Sequence, residues 1–276
     1  MTISSADTGA DDTETATRAL GRLRRRAPER LEGLAQAVRD VQHDRYRRTL
    51  QSLGWTVLAA LPGAAALWLA GDLLQQVGER GKYSDSLGGA LQALAPAAFT
   101  LSFLAWLVRE RGLAHAHFRW VRARREALQR WLPRLMAGLL PLYFIVALAF
   151  IRNQELAISV SARMAMLAAA GVAAWALWSL LAPEAAWHGR GSSREPSTWR
   201  RVLRVGTLAM QLGCAALALE GHLYTAAILM DAQFASIGVV AAVAVLHGLH
   251  SRWFVLGERR LALKRLEQKR EAEAEA

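Results

Sequence analysis

Apolar residues in this chain are gathered into six long runs separated by segments crowded with arginine. The runs are roughly Leu53–Ala70, Leu87–Val108, Leu135–Ile151, Ile158–Ala182, Val202–Leu219 and Thr225–Leu249. A helix needs about 20 residues to cross the hydrocarbon core of a bilayer. Within lipid the backbone must satisfy its own hydrogen bonds, so apolar runs of this length form helices. The pattern therefore predicts an all-α fold: a polytopic transmembrane helical bundle of about six spans, acting in or across a membrane.

The polar segments have their own periodicity. Leu31, Leu34, Ala35, Val38 and Val41 recur at helical spacing among charges, which predicts a basic amphipathic helix over 18–50, ordered from Pro28 to Leu50. Residues 1–17 are polar and acidic (Asp7, Asp11, Asp12, Glu14) with no apolar core of a signal peptide, and read as a disordered tail. The six-span domain occupies 51–250. Arg109–Arg134, with eight arginines, Trp120 and Trp131, predicts a second interfacial helix between spans two and three. Pro62-Gly63 suggests a kink in span one, and Gly189–Thr198 a loop. Spans five and six meet tightly at Gly221-His222. Residues 251–276 form a charged juxtamembrane helix, with Leu256, Leu263 and Leu266 on one face and cations around it.

Charge sets the topology. Ten Lys and Arg precede span one, and the next connections hold two, eight, one, five (counting Arg204) and none, with seven after span six. The rich segments are the first, third, fifth and seventh, so they share one side. The positive-inside rule makes that side, with both termini, cytoplasmic. The expected location is the bacterial inner membrane. The net charge of +11 would suggest nucleic acid in a soluble protein, but arginines flanking apolar spans are explained by anionic headgroups. Membrane lipids are thus expected partners and nucleic acid is not. Arg45, Arg47, Arg48, Arg119, Trp120, Arg122, Arg124, Arg125, Arg252, Trp253, Arg259 and Arg260 are the candidate interfacial lipid contacts. Most tryptophans lie near span ends, as interfacial anchors do; Trp68, Trp175 and Trp178 are expected deeper.

Chemistry within the spans is sparse. Asp231 and Arg163 are the candidate intramembrane polar residues. An acid in a span can mark an ion pathway. Asp231 is expected instead at interface depth, beside Glu220 and His222, and Arg163 is expected to snorkel. His115 and His117, and His247 and His250, lack supporting ligands, so no metal is expected. No phosphate loop, metalloprotease motif or nucleophile elbow occurs, so neither an enzyme nor a cofactor is expected. Cys214 reads as a buried, inert thiol. Small residues recur at four-residue spacing (Ala165, Ala169, Ala173; Ala170, Ala174; Gly238, Ala242) and allow close helix packing, within the bundle or against a larger assembly.

Four motifs in register add a resemblance. His250–Ala272, "HSRWFVLGERRLALKRLEQKREA", resembles the linker of the large, multi-span members of the MscS mechanosensitive channel family, the MscK/KefA and MscM types. "DRYRRTL" (Asp44–Leu50) is similar to their approach to span one. "GLAHAHFRW" (Gly112–Trp120) is similar to the loop after their second span, and "GHLYTA" (Gly221–Ala226) to the turn before their long helix. Together these cover about Leu31 to Glu271. The resemblance implies the inner-membrane domain that precedes the pore, with a role in sensing tension and in osmotic adaptation. It implies either a pore-forming partner of that type or self-association. Those channels continue into a pore-lining helix and a β-rich vestibule, so this chain is expected to lack its own pore. Their upstream domain is periplasmic, which would put the region before span one outside; the arginine count puts it inside. A small secondary transporter and a non-conducting scaffold are the other readings. The first would use the breaks at Pro62, Pro96 and Pro141, but it lacks paired ionisable residues at mid-membrane.

Overall fold

The computed structural model describes residues 21–22, 27–33, 46–77, 83–110, 112–116, 118, 120–152, 160–181 and 198–275. The acidic tail, most of the amphipathic segment before Tyr46, and the Gly189–Thr198 loop up to residue 197 lie outside them.

Among the described residues the fold is all-α. The helices are α1 (Tyr46–Val77), α2 (Tyr83–Val108), α3 (Leu113–Ala116), α4 (Arg122–Arg152), α5 (Val160–Leu180), α6 (Thr198–Glu220) and α7 (Leu223–Glu275). All but α3 are long and apolar enough to cross a membrane, which makes six spans. Residues 27–33 are also helical, with Ala27 and Leu31 buried.

Successive spans pack side by side: α1 on α2, α2 on α4, α4 on α5, α5 on α6 and α6 on α7. Lighter contacts bring α7 back to α1, α2 and α5 and close the bundle. Small residues make the close packing possible. Gly71 and Gly88 meet where α1 crosses α2, and a Cβ on Gly71 would lie 2.5 Å from the Gly88 carbonyl oxygen. Ala162, Ala165, Met166 and Ala169 of α5 form the centre of a core. Leu139 and Val146 of α4, Ala218 of α6, and Leu223, Ala226 and Met230 of α7 complete it. Much of the remaining apolar surface is exposed, as on Val239, Val240, Val243 and Leu246 of α7. In a membrane protein that is the lipid-facing surface rather than an anomaly.

Three expected elements come out differently. The interfacial helix over Arg109–Arg134 is divided. Its first part is a turn and the short α3, and its second part, from Arg122, runs without a break into span three. Arg, Glu, Ala, Leu and Gln are good helix formers, so nothing in Arg122–Gln129 stops the helix. Pro133 and Pro141 sit inside α4, as Pro62 sits inside α1 and Pro96 inside α2. Transmembrane helices tolerate such prolines because local adjustments re-satisfy the freed carbonyls. Second, span six and the juxtamembrane segment are one helix, α7. No proline interrupts it at the membrane boundary. Third, Gly238 and Ala242 do not form a packed row within the bundle, which leaves packing against a larger assembly. Ala242 is exposed, and the buried positions of that half of α7 are Ala241, Val245 and Leu249.

The turn between α6 and α7 forms where expected. Gly221 has φ 96°, a conformation that only glycine adopts without strain. The His222 N–H donates to the Leu217 carbonyl at 2.8 Å, which ends α6 in a Schellman cap.

Candidate functional site

The spans alternate in direction, so helix ends gather at two levels, and side-chain contacts identify them. At one level the end of α2, the starts of α1, α4 and α6, the end of α5 and the middle of α7 come together. Arginines lie over aromatic rings there. The Arg109 guanidinium is 4.6 Å from the Trp106 ring centre, Arg134 is 5.3 Å from Trp131, and Arg204 is 3.4 Å from Trp178. Trp131 meets Trp175 edge-on at 4.8 Å, joining α4 to α5. Trp175 and Trp178, expected deeper, therefore belong to this arginine-bearing level, because α5 ends soon after them at Leu180. A cation over an indole face contributes about 0.5–1 kcal/mol at exposed sites and more when desolvated. Such pairs tether each guanidinium to a ring near its helix end.

The expected lipid contacts divide here. Arg122 is exposed and pairs with Glu126 at 2.6 Å. Arg47 is exposed, Arg48 and Arg124 are half-buried, and Arg125 is only 8% exposed, on the inner face of α4. Arg252 is half-buried. Trp253 is exposed and packs on Phe254, their ring centres 5.6 Å apart. Arg45 and Arg119 lie outside the described residues, and so do the side chains of Arg259 and Arg260. Trp120 is half-buried against Leu107, Leu113 and Val245, so it binds the protein as well as facing the interface.

Trp120 belongs to a wedge formed by the Gly112–Trp120 segment. Leu113 and Ala114 are fully buried. The Phe118 N–H donates to the Leu113 carbonyl at 3.1 Å, and that of Trp120 to the Ala114 carbonyl at 2.9 Å. The folded turn drives apolar side chains between α1, α2 and α7, against Leu53, Leu107 and Leu249. Phe118 lies flat on the α7 backbone at Gly248; a Cβ there would lie 2.7 Å from the ring. The long helix is thereby clamped to the bundle at the arginine-bearing level.

At the other level the end of α4 meets the start of α2, with Arg152 4.8 Å from the Tyr83 ring centre. Arg163 is half-buried beside the α6–α7 turn, its guanidinium 3.6 Å from where a Gly221 Cβ would stand. Glu220 and His222 face each other at 4.0 Å. Asp231 does not join that pair. It stands eight residues along α7 from Leu223, about 12 Å at helical rise. Its carboxylate accepts a hydrogen bond from the Tyr143 hydroxyl of α4. Tyr143 in turn meets Phe234 edge-on at 5.8 Å. Asp231 and Tyr143 line a cavity of about 670 Å³ between α4 and α7, floored by Met166 of α5.

A second polar group joins α6 to α7 deeper in the bundle. Gln211 is 2% exposed and donates through Nε2 to Gln233 Oε1 at 2.5 Å. Gln233 Nε2 reaches Cys214 Sγ at 3.6 Å. Neither glutamine nor Tyr143 was singled out in the sequence, although a search for polar residues inside the apolar runs finds all three. Cys214 is buried, as expected. Among the described residues no three His, Cys, Asp or Glu side chains converge as metal ligands.

Comparison with known proteins gives one family. The model for "mechanosensitive ion channel inner membrane domain 1" matches residues 16–276, nearly the whole chain. No curated protein and no solved structure matches it.

Proposed function

The chain belongs to the family of mechanosensitive ion channel inner membrane domains, and from that premise we propose that it is the tension-coupling membrane part of a channel serving osmotic adaptation. The match across residues 16–276 carries this reading. The physical mechanism is a difference in area between two states. Tension favours the state that occupies more area in the membrane plane, and it can shift the equilibrium only by that difference. The arginine–aromatic pairs anchor α2, α4 and α6 at headgroup depth, where lateral packing changes first. The wedge ties α2, together with α1, to α7 through Phe118 and Gly248. α7 then carries the displacement out of the bilayer along its charged half.

In this proposal the chain is a multi-pass protein of the bacterial inner membrane with both termini cytoplasmic, a placement that the arginine distribution supports. The interior of the bundle is packed with alanine, leucine, valine and methionine. That supports a sensor rather than a conduit for ions. The partners are lipids and either a pore-forming channel of the same type or further copies of the chain. Non-enzymatic action follows from the same reading.

Patch recording from liposomes tests it. The chain alone should give no stretch-activated current. Reconstituted with a pore-forming mechanosensitive channel of this family, it should shift the tension for half-opening. A current from the chain alone overturns the sensor reading, and an unchanged threshold overturns the coupling. Impermeant labels on tags at the two ends should react from the cytoplasmic face only.

A further inference from the structure

The cavity between α4 and α7 has a character that tension coupling does not use. Among the residues lining it, Asp231 is the charged one. Tyr143, Phe150 and Tyr224 contribute aromatic surface, and Ala93, Ala147 and Ile228 contribute aliphatic surface. Phe150 and Tyr224 stand edge-to-face at 6.0 Å and form one wall. Tyr143 holds the carboxylate from the other side. No lysine or arginine among the described residues pairs with Asp231. Of the cations at this level, Arg163 lies by Gly221, ten residues along the chain from Asp231, and Arg152 lies over the Tyr83 ring. Asp231 is exposed on the isolated bundle, and an ionised carboxylate within a membrane span is costly without a cationic partner.

The chemistry of the walls selects the cation. A hard inorganic ion such as Ca²⁺ needs six or more oxygen ligands, about as many as a whole dedicated loop supplies. This cavity offers one carboxylate and phenol oxygens. An aromatic ring beside a single carboxylate, as Tyr143 is beside Asp231, instead suits an organic ammonium, which the ring quadrupole attracts and the carboxylate neutralises; Phe150 and Tyr224 stand about two helical turns further along α4 and α7. The aliphatic remainder suits an alkyl chain. The volume of about 670 Å³ is that of a small-molecule pocket.

We propose that the cavity lined by Tyr143, Phe150, Tyr224 and Asp231 binds an alkylammonium amphiphile, its ammonium on Asp231 and its chain along Ala147 and Ile228. The ammonium comes either from a free amphipathic amine or from the headgroup of an aminophospholipid. Binding there bridges α4 and α7, and α7 is also the helix that the wedge holds.

Native mass spectrometry of the full chain in a nonionic detergent tests this. The probes are dodecyltrimethylammonium, dodecanol and phosphatidylethanolamine, each added separately. The wild-type chain should take up one saturable ammonium adduct, with dodecanol binding at least tenfold more weakly. Asp231→Asn should lose the ammonium adduct by tenfold or more, and Asp231→Glu should recover much of it. Ala147→Trp, which fills the cavity, should abolish it while far-UV circular dichroism keeps its helical signal. Retention of phosphatidylethanolamine that depends on Asp231 makes the bilayer the source; an Asp231-dependent adduct with dodecyltrimethylammonium alone makes it a free amphiphile. Equal binding of dodecanol, an adduct unchanged in Asp231→Asn, or no adduct with either ammonium probe overturns the proposal. These outcomes are independent of whether the chain alters gating.

Discussion

At the scale of single residues, the pair formed by Tyr143 and Asp231 is the most exposed to test. Its members are 88 positions apart and belong to α4 and α7. Interhelical hydrogen bonds within membranes couple by about 0.6 kcal/mol on average and up to about 1.7 kcal/mol. A carboxylate acceptor belongs at the upper end, because the alternative is a charge with no donor at that depth. We therefore expect a coupling of about 1–2 kcal/mol between Tyr143→Phe and Asp231→Asn in a double-mutant cycle. Reversible unfolding in mixed micelles measures it, and additive effects would show that the bond is not held in solution. Asp231 itself was legible in the sequence as a charged residue inside an apolar run. Its partner was not. Pairing across 88 positions depends on how α4 and α7 are rotated, and no one-dimensional pattern records that rotation. The tight turn at Gly221-His222 was legible for the opposite reason: the Schellman cap is local, and its glycine is part of the sequence signal.

At the scale of helices, legibility follows length. A run of apolar residues long enough to cross a bilayer is a property of sequence alone, so six spans were readable. The end of a helix depends on weak local signals, so the segment before span three merged into α4 and the juxtamembrane segment into α7. Packing between helices is less legible still. Gly71 and Gly88 were not distinguished in the sequence from Gly213, yet the first two stand in a backbone contact and the third has open space around its Cα. Gly71→Leu should therefore separate α1 from α2 and destabilise the bundle by about 1–3 kcal/mol or more, the usual cost of overpacking. Gly213→Leu should leave stability nearly unchanged. Thermal unfolding of the two variants in the same detergent decides between them; equal midpoints would mean that the crossing is not where the bundle is held. Gly248 makes the related prediction for the wedge. Gly248→Val should push the Phe118 ring off α7 and make the Gly112–Trp120 segment more accessible to limited proteolysis, with the six spans intact. Unchanged cleavage would remove the clamp.

At the scale of the whole molecule, α7 decides whether a packed bundle can act at a distance. It has 53 residues, which at helical rise is about 80 Å, more than twice the thickness of the hydrocarbon core. Its first half is held by the core around Met230 and by the wedge at Gly248. Among the described side chains its last turns show no comparable packing: Trp253, Phe254, Val255 and Leu261 are exposed, and Leu256 is the last of them that is buried. A stiff rod held at one end and free at the other transmits rotation of the bundle only while its backbone stays helical. Gly257 sits just past the last buried residue with open space around it, so a side chain there meets no steric objection. Gly257→Ala should strengthen the rod, by about 0.5–1 kcal/mol of helix propensity. Gly257→Pro should break it, because proline removes a hydrogen bond and its ring collides with the preceding turn, at a cost of about 3 kcal/mol. Spin labels at Leu246 and Leu261, both exposed, report the outcome. In the parent chain their separation should be narrow and close to helical rise for 15 residues, about 22 Å. Gly257→Pro should broaden that distribution, leave the unfolding midpoint of the bundle unchanged and remove any effect of the chain on the tension threshold of a partnered pore. If the threshold shift survives the broken rod, the signal leaves the bundle through its lipid-facing helices, and α7 is a tether rather than a lever.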